Sequence, residues 1–238
     1  MDKLRAPGLL ARYPYVGLLM MIVGGSLFAV MATSLQANAP LIQTDVQIAN
    51  SLHQMALQSS PWLRSIMIGG FYLGEHAIFA IGAILIVYYL SKRYWAELSM
   101  VVIAWGGELV ILFILSAYFH RPRPPFDVEV WHYMPSPGFP SGHSISAVLC
   151  YGLLAYLIAS RLSSRLWRGV VITSAVLIVL FIGFSRLFVG DHYPVDVLAG
   201  YGIGFFWAGL VYTSVELIAG KKSRPALVPG KPATLTYR

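Results

Sequence analysis

Six stretches of this 238-residue chain are long and apolar enough to cross a lipid bilayer, and they constrain it more than any single motif. A spanning helix needs about 20 mostly apolar residues, because hydrocarbon offers the backbone no hydrogen-bond partner. The stretches are residues 15–35, 65–90, 96–119, 143–160, 169–188 and 195–218. Composition agrees. Only 11% of residues are charged, against about 25% in a soluble domain, and 57% are hydrophobic. Mean hydropathy is +0.68. There is too little polar surface to cover a soluble enzyme or a nucleic-acid module, and disorder needs the opposite composition. The single cysteine, Cys150, excludes an internal disulfide and a cysteine metal cluster.

The charge of +7 is first a topology signal. Lys3, Arg5 and Arg12 precede the first span. Lys92 and Arg93 separate the second from the third, and Arg161, Arg165 and Arg168 the fourth from the fifth. Lys221, Lys222, Arg224, Lys231 and Arg238 follow the sixth. These 13 of the 17 basic residues share one side if both termini are cytoplasmic; the other side keeps Arg64, Arg121, Arg123 and Arg186. Cytoplasmic loops carry the excess of lysine and arginine, so the sequence predicts a multi-pass protein of the cell membrane with both ends inside. Ala37-Asn38-Ala39 resembles a signal-peptide cleavage site, but the preceding apolar run is long for a leader and Pro40 follows at once. The first span is therefore expected to be retained. Residues 44–58 read as an amphipathic helix on the outer face, with Thr44 and Gln47 at capping-box spacing and Ile48, Leu52, Met55 and Ala56 on one side. It is either an interfacial connector or a wall beside a lipid entrance, with the connector favoured. The fold expected is an all-α six-transmembrane-helix bundle with this outer-face helix. The domain would occupy residues 1–220, followed by a flexible cytoplasmic tail at 221–238.

Three of the four outer cations fall in two short segments, His120-Arg121-Pro122-Arg123-Pro124 and Ser185-Arg186 through His192 to Asp196. Between them in sequence lies Pro140-Ser141-Gly142-His143. The topology places all three segments at one membrane face, at helix ends. Arginine keeps its charge and offers a planar fork of donors to phosphate oxygens. Near hydrocarbon, Arg123 and Arg186 require an anionic partner. Ser141 and Gly142 stand at a helix start, where free N–H groups and the dipole favour an anion. His143 and His192 carry protons near neutral pH. Asp196, one turn after His192, is spaced to orient its imidazole. Singly, each piece has an ordinary explanation as a loop, a cap or a structural histidine. As an ordered set they describe a phosphate cradle with a nucleophile on one side and an acid on the other.

The set resembles the type 2 phosphatidic acid phosphatase superfamily of membrane lipid phosphatases. Its pattern is Lys-x6-Arg-Pro, then Pro-Ser-Gly-His, then Ser-Arg-x5-His-x3-Asp. Here Arg123-Pro124, Pro140 to His143, and Ser185 to Asp196 match it, and the resemblance extends over most of the chain. It implies that His192 attacks phosphorus to form a phosphohistidine, that Asp196 orients His192, and that His143 protonates the leaving group. It also implies that Arg123, Arg186, Ser141 and the Gly142 N–H hold the phosphate oxygens, with Arg121 as a further candidate. No metal or other cofactor is expected. The partners implied are a lipid phosphate substrate and the bilayer, without nucleic acid. The family lysine is absent: Ser116 stands seven residues before Arg123. Some undecaprenyl diphosphate phosphatases of the bacitracin-resistance type are similar in this, which tilts the expected substrate toward a prenyl diphosphate. Phosphatidylglycerol phosphate and phosphatidic acid remain alternatives, as does phosphoryl transfer to a second acceptor. Glu75 and Glu108 are intramembrane carboxylates. A non-enzymatic transporter would use them for a proton path, whereas the favoured reading pairs them inside the bundle. Asp127, Glu129 and His132 read as a solvated loop.

Overall fold

The computed structural model describes residues 9–126 and 137–222, which form nine helices and no strand. They are α1 (Leu9–Arg12), α2 (Pro14–Gln36), α3 (Pro40–Gln58), α4 (Pro61–Leu73), α5 (His76–Lys92), α6 (Trp95–Phe119), α7 (Gly142–Ala159), α8 (Arg165–Phe188) and α9 (Pro194–Lys222). With α4 and α5 read as one span, Pro61–Lys92, six segments are long and apolar enough to cross a membrane. The chain is an all-α integral membrane protein. Four helices open on proline, whose fixed φ suits a first helical turn and whose missing N–H is no loss there. Asp127, Glu129, Trp131 and His132 lie outside the described residues, as do Lys3, Arg5 and the tail from residue 223; α9 itself runs on to Lys222.

The amphipathic helix expected on the outer face departs from its expected start. It begins at Pro40 and not at Thr44, so the expected capping box does not form. The Thr44 hydroxyl instead donates back to the Pro40 carbonyl at 3.5 Å. Asp45 and Ala49 are buried against the protein, while Ile48 and Met55, expected on one side, are both exposed. The buried side is held by a captured polar residue, Asp45.

The second span is broken at Gly74 and Glu75. The carbonyls left at the end of α4 meet side-chain donors from other helices. Arg186 Nη2 of α8 donates to the Phe71 carbonyl at 2.7 Å, and Tyr151 Oη of α7 to that of Leu73 at 2.9 Å. A break at membrane depth is tolerated where protein supplies such partners.

α7 and α9 form the centre, packed through Ile145, Leu149, Leu153, Val211 and Tyr212 with Val101 and Ala104 of α6. Several buried polar groups there find partners. Tyr212 Oη donates to the Leu149 carbonyl at 2.7 Å, and Trp207 Nε1 to that of Ala104 at 3.0 Å. Glu108 of α6 accepts from Ser146 of α7, which matches its reading as a paired intramembrane carboxylate. α2 lies along α9 at backbone contact: a Cβ at Gly24 would stand 2.5 Å from the Gly202 carbonyl oxygen, and one at Gly209 2.7 Å from that of Gly17. In the adjacent pairs Gly69-Gly70 and Gly106-Gly107, Gly70 and Gly107 allow close approach against Phe181 and Trp207, whereas Gly69 and Gly106 face open space. Large apolar side chains such as Ile22, Phe79, Val87, Leu109 and Phe113 point outward, as lipid-facing residues do. Trp62, Trp95, Tyr118 and Trp167 are exposed near helix ends, where interfacial anchors belong.

Because α2 and α9 touch at the backbone, Gly24→Ala is expected to lower the melting temperature of the detergent-solubilised protein by roughly 5 °C through overpacking. Gly106→Ala, which meets nothing, is expected to leave it unchanged or raise it slightly; paired thermal-shift measurements check both.

Candidate active site

Four helix ends and one turn converge on the site. α6 closes on His120 in the left-handed conformation (φ 47°), releasing the Arg-Pro-Arg-Pro segment. α7 opens at Ser141, α8 ends at Phe188, and the turn from 189 to 193 feeds α9. Gly190 has φ 82°, a conformation glycine adopts without strain, and the Phe126 ring packs against the space a side chain would fill. The three sequence segments are brought together. The Ser141 N–H donates to the Asp196 carbonyl at 3.0 Å, and Arg123 pairs with Asp191. The His143 and His192 ring centroids are 6.3 Å apart.

His192 is almost fully buried. Its Nδ1 faces Asp196 Oδ2 at 3.7 Å, an ion-pair separation longer than a hydrogen bond. Its Nε2 faces the other way, 3.4 Å from Arg123 Nη1. Asp196 is held from several sides. The Tyr193 N–H donates to its Oδ2 at 2.9 Å, as an acidic residue in the first turn does when it caps its own helix. Arg121 Nη1 donates to its Oδ1 at 2.6 Å. Arg186, with no exposed surface, lies 3.8 Å over the Phe71 ring. Its Nη2 is tied to the Phe71 carbonyl, while its Nη1 and Nε make no hydrogen bond. Nη1 stands 3.6 Å from Asp191 Oδ2. His143 faces Glu75 across 3.9 Å. Glu75, read from sequence as packing or as a partner for an arginine, thus lies beside the histidine expected to act as the acid. Ser141 is fully buried, its hydroxyl accepting from Ser144 Oγ at 3.1 Å, and Gly142 begins the first turn of α7, whose N–H groups have no intrahelical partner.

Arg121 is not free to face a phosphate. Its guanidinium bridges Asp196 and Asp45 of α3, the latter at 2.5 Å, and rests 4.3 Å over the Tyr193 ring. Two carboxylates missed by sequence reasoning are central. Asp45 carried no signal beyond being the one acidic residue of its helix. Asp191 lies inside the third motif, immediately before His192, and that adjacency was the available clue. Burial raises the Asp45 carboxyl above its usual range, against the pull of Arg121 and the Val195 N–H. Burial also pushes Asp191 up, but His192, Arg123, His143 and Arg186 outweigh it and hold Asp191 below the usual carboxylate value. Arg121 loses by burial and gains more from Asp196 and Asp45, which fixes its charge.

His143, Asp191 and His192 offer ligand atoms within 4.8 Å of one another, close enough for a metal ion. Arg123 beside His192 and Arg186 beside Asp191 would repel a cation there. The same surroundings suit an anion.

Comparison with known proteins gives the class. A family model described as the PAP2 superfamily matches residues 98–218. Phosphatidylglycerophosphatase B of Bacillus subtilis (strain 168) is 32% identical over 193 residues, covering 77% of this chain and 89% of that protein. Undecaprenyl-diphosphatase BcrC of the same strain is 29% identical over 179 residues, covering 72% and 84%. The crystal structure of a transmembrane PAP2 type phosphatidylglycerolphosphate phosphatase from Bacillus subtilis aligns with a TM-score of 0.66 at 29% identity, covering 80% of this chain and 94% of that one. The chain belongs to the PAP2 superfamily. It is a transmembrane lipid phosphatase of that type.

Asp191 places a negative charge 3.6 Å from His192 Nε2, on the guanidinium groups best placed for a phosphate. Asp191→Asn is expected to tighten inhibition by orthovanadate about tenfold, the effect of removing about 1.4 kcal/mol of like-charge repulsion; inhibition constants for the two proteins check it.

Proposed function

We propose that the protein hydrolyses the terminal phosphate of undecaprenyl diphosphate at the outer membrane face, through a phosphohistidine on His192. One observation carries the mechanism. His192 Nε2 points away from Asp196 and toward Arg123, and buried Arg186 keeps Nη1 and Nε without a hydrogen bond beside it. In the first step Nε2 attacks the terminal phosphorus, and the bond from phosphorus to the bridging oxygen breaks. The proton on Nδ1 faces Asp196, which stabilises the imidazolium. Arg123 and Arg186, with the Gly142 N–H and Ser141 at the start of α7, meet the charge on the phosphoryl oxygens. His143, across the site, gives its proton to the departing lipid phosphate. In the second step water attacks the phosphohistidine and passes its proton to His143. The products are lipid phosphate and inorganic phosphate. The residues supply as cation and dipole what a metal would supply elsewhere.

The outer side follows from the distribution of basic residues. Arg12, Lys92, Arg93, Arg161, Arg165 and Arg168 lie at the helix ends opposite the site. The diphosphate follows from Ser116 in place of the family lysine, with Arg121 engaged by two carboxylates. A second reading, phosphatidylglycerol phosphate as substrate, is favoured by the 32% identity to phosphatidylglycerophosphatase B.

Phosphate release by purified protein from undecaprenyl diphosphate, phosphatidylglycerol phosphate and phosphatidic acid tests the substrate. The highest kcat/KM is expected on the first, and a preference for either monophosphate overturns that choice. His192→Ala is expected to abolish turnover on every lipid, and a chelator to leave wild-type turnover intact. Ser116→Lys is expected to move the preference toward monophosphates, since it restores a charge-assisted contact worth about 1.5–3 kcal/mol; unchanged ratios of kcat/KM would count against it. The pH profile is expected to be bell-shaped. His192 must be unprotonated to attack, so activity rises with pH on the acid limb. His143 must be protonated to donate, so activity falls on the alkaline limb.

A further inference from the structure

The outer helix α3 reaches the catalytic histidine through one buried side chain. Asp45 has no exposed side-chain surface, and both its oxygens are engaged. Oδ1 accepts the Val195 N–H at 2.7 Å, and Oδ2 accepts Arg121 Nη2 at 2.5 Å. Val195 is the second residue of α9, and its N–H is one of those a helix start leaves without a partner. Asp45 therefore caps α9 from a remote helix, one turn from the functional residues. Through Arg121 it also meets Asp196, whose other oxygen faces His192. The ion pair with Arg121 and the Val195 N–H favour the ionised form of Asp45 against its burial, and with Asp45 ionised the set of Asp45, Arg121 and Asp196 carries one net negative charge. α3 has a second anchor on the same loop: the His53 ring stacks on Phe126, centroids 4.0 Å apart and planes parallel within 2°.

We infer that Asp45 is a positioning residue for the nucleophile: it takes half of Arg121, so that Asp196 keeps the charge with which it orients and stabilises His192. This rests on the reading of His192 as nucleophile. Without Asp45, Arg121 would neutralise Asp196 fully and the imidazolium would lose its counter-charge. The other groups facing His192 are Arg123 from the loop after α6, His143 of α7, Arg186 of α8, Asp191 from the turn and, through His143, Glu75 at the α4–α5 break. None belongs to the Asp45–Arg121–Asp196 set, so they form a common background for variants within it.

The experiment is a ¹⁵N-histidine NMR titration of the full chain in detergent, with the His192 signals assigned by their loss in His192→Gln. Asp45→Asn removes one negative charge and should lower the midpoint of His192 by about one pH unit. Asp45→Asn with Arg121→Gln restores the net charge of the set, and the midpoint should return to within a few tenths of the wild-type value. Structural damage would accumulate in the double variant; a charge effect cancels. No shift in the single variant, or a further shift in the same direction in the double, overturns the inference. Where Asp45→Asn does not give folded protein, Asp45→Ser reads the same charge loss. The titration needs no substrate. Turnover by His192→Ala would sink the nucleophile while leaving the coupling standing, and an unmoved midpoint would sink the coupling alone.

Discussion

A guanidinium group cannot shed its charge, and three of them lie at one end of an apolar bundle. The way each is met organises everything around it. Arg121 is neutralised twice, by Asp45 and Asp196, and its face is covered by Tyr193. Arg186 is fully buried on the Phe71 ring with one arm tied to a backbone carbonyl. Arg123 pairs with Asp191 at the mouth of the same site. Burying such charges costs several kcal/mol each unless partners are in place, so these contacts fix the relative positions of α3, the loop after α6, α8 and the start of α9. The broken second span belongs to the same solution. Gly74 lets α4 close on Ile182 and Arg186, and the freed carbonyls of Phe71 and Leu73 become hydrogen-bond acceptors.

The two aspartates on either side of His192 have opposite effects on the chemistry. Asp196 is locked by the Tyr193 N–H and Arg121 and faces Nδ1, where negative charge favours the imidazolium. Asp191 faces Nε2 and engages the arginines that an incoming phosphate needs. A substrate must therefore bring enough charge to displace a carboxylate from Arg123. A resident carboxylate on Arg123 and the absence of the family lysine at Ser116 are the physical grounds on which a diphosphate is proposed as the substrate.

α3 changes meaning in this light. As an amphipathic segment it reads as a connector lying on the surface. In the folded chain its one acidic side chain is buried in the charge network behind His192, and its histidine stacks on Phe126 of the Arg-Pro loop. The helix α3 is thus a structural part of the site, and a displacement of α3 would reach His192 through three ionic contacts, Asp45–Arg121, Arg121–Asp196 and Asp196–His192.

The six spans, the gathering of the three motifs at one set of helix ends, and the residues His143, His192, Asp196, Arg123 and Arg186 were legible in the sequence. Hydrophobic length and motif spacing are local properties, and helices of fixed rise carry them into three dimensions with little freedom. The start of α3 was misjudged because Pro40, at the first helical position, outweighed a capping-box spacing that is only permissive. Its buried side went unread because the residue that anchors it, Asp45, is polar, and hydrophobic periodicity does not register a captured carboxylate. Asp45 and the true partners of Arg121 belonged to the tertiary structure alone, whereas Asp191 had its place beside His192 in the third motif as a clue. Asp45 and Asp196 are 151 residues apart, and nothing in either neighbourhood specifies the other. Only when α3 docks beside α9 does burial make one guanidinium between two carboxylates the arrangement of lowest cost. The sequence thus determined the spans and the reactive groups, and the packing of helix ends decided which charges neutralise one another and which remain for the substrate.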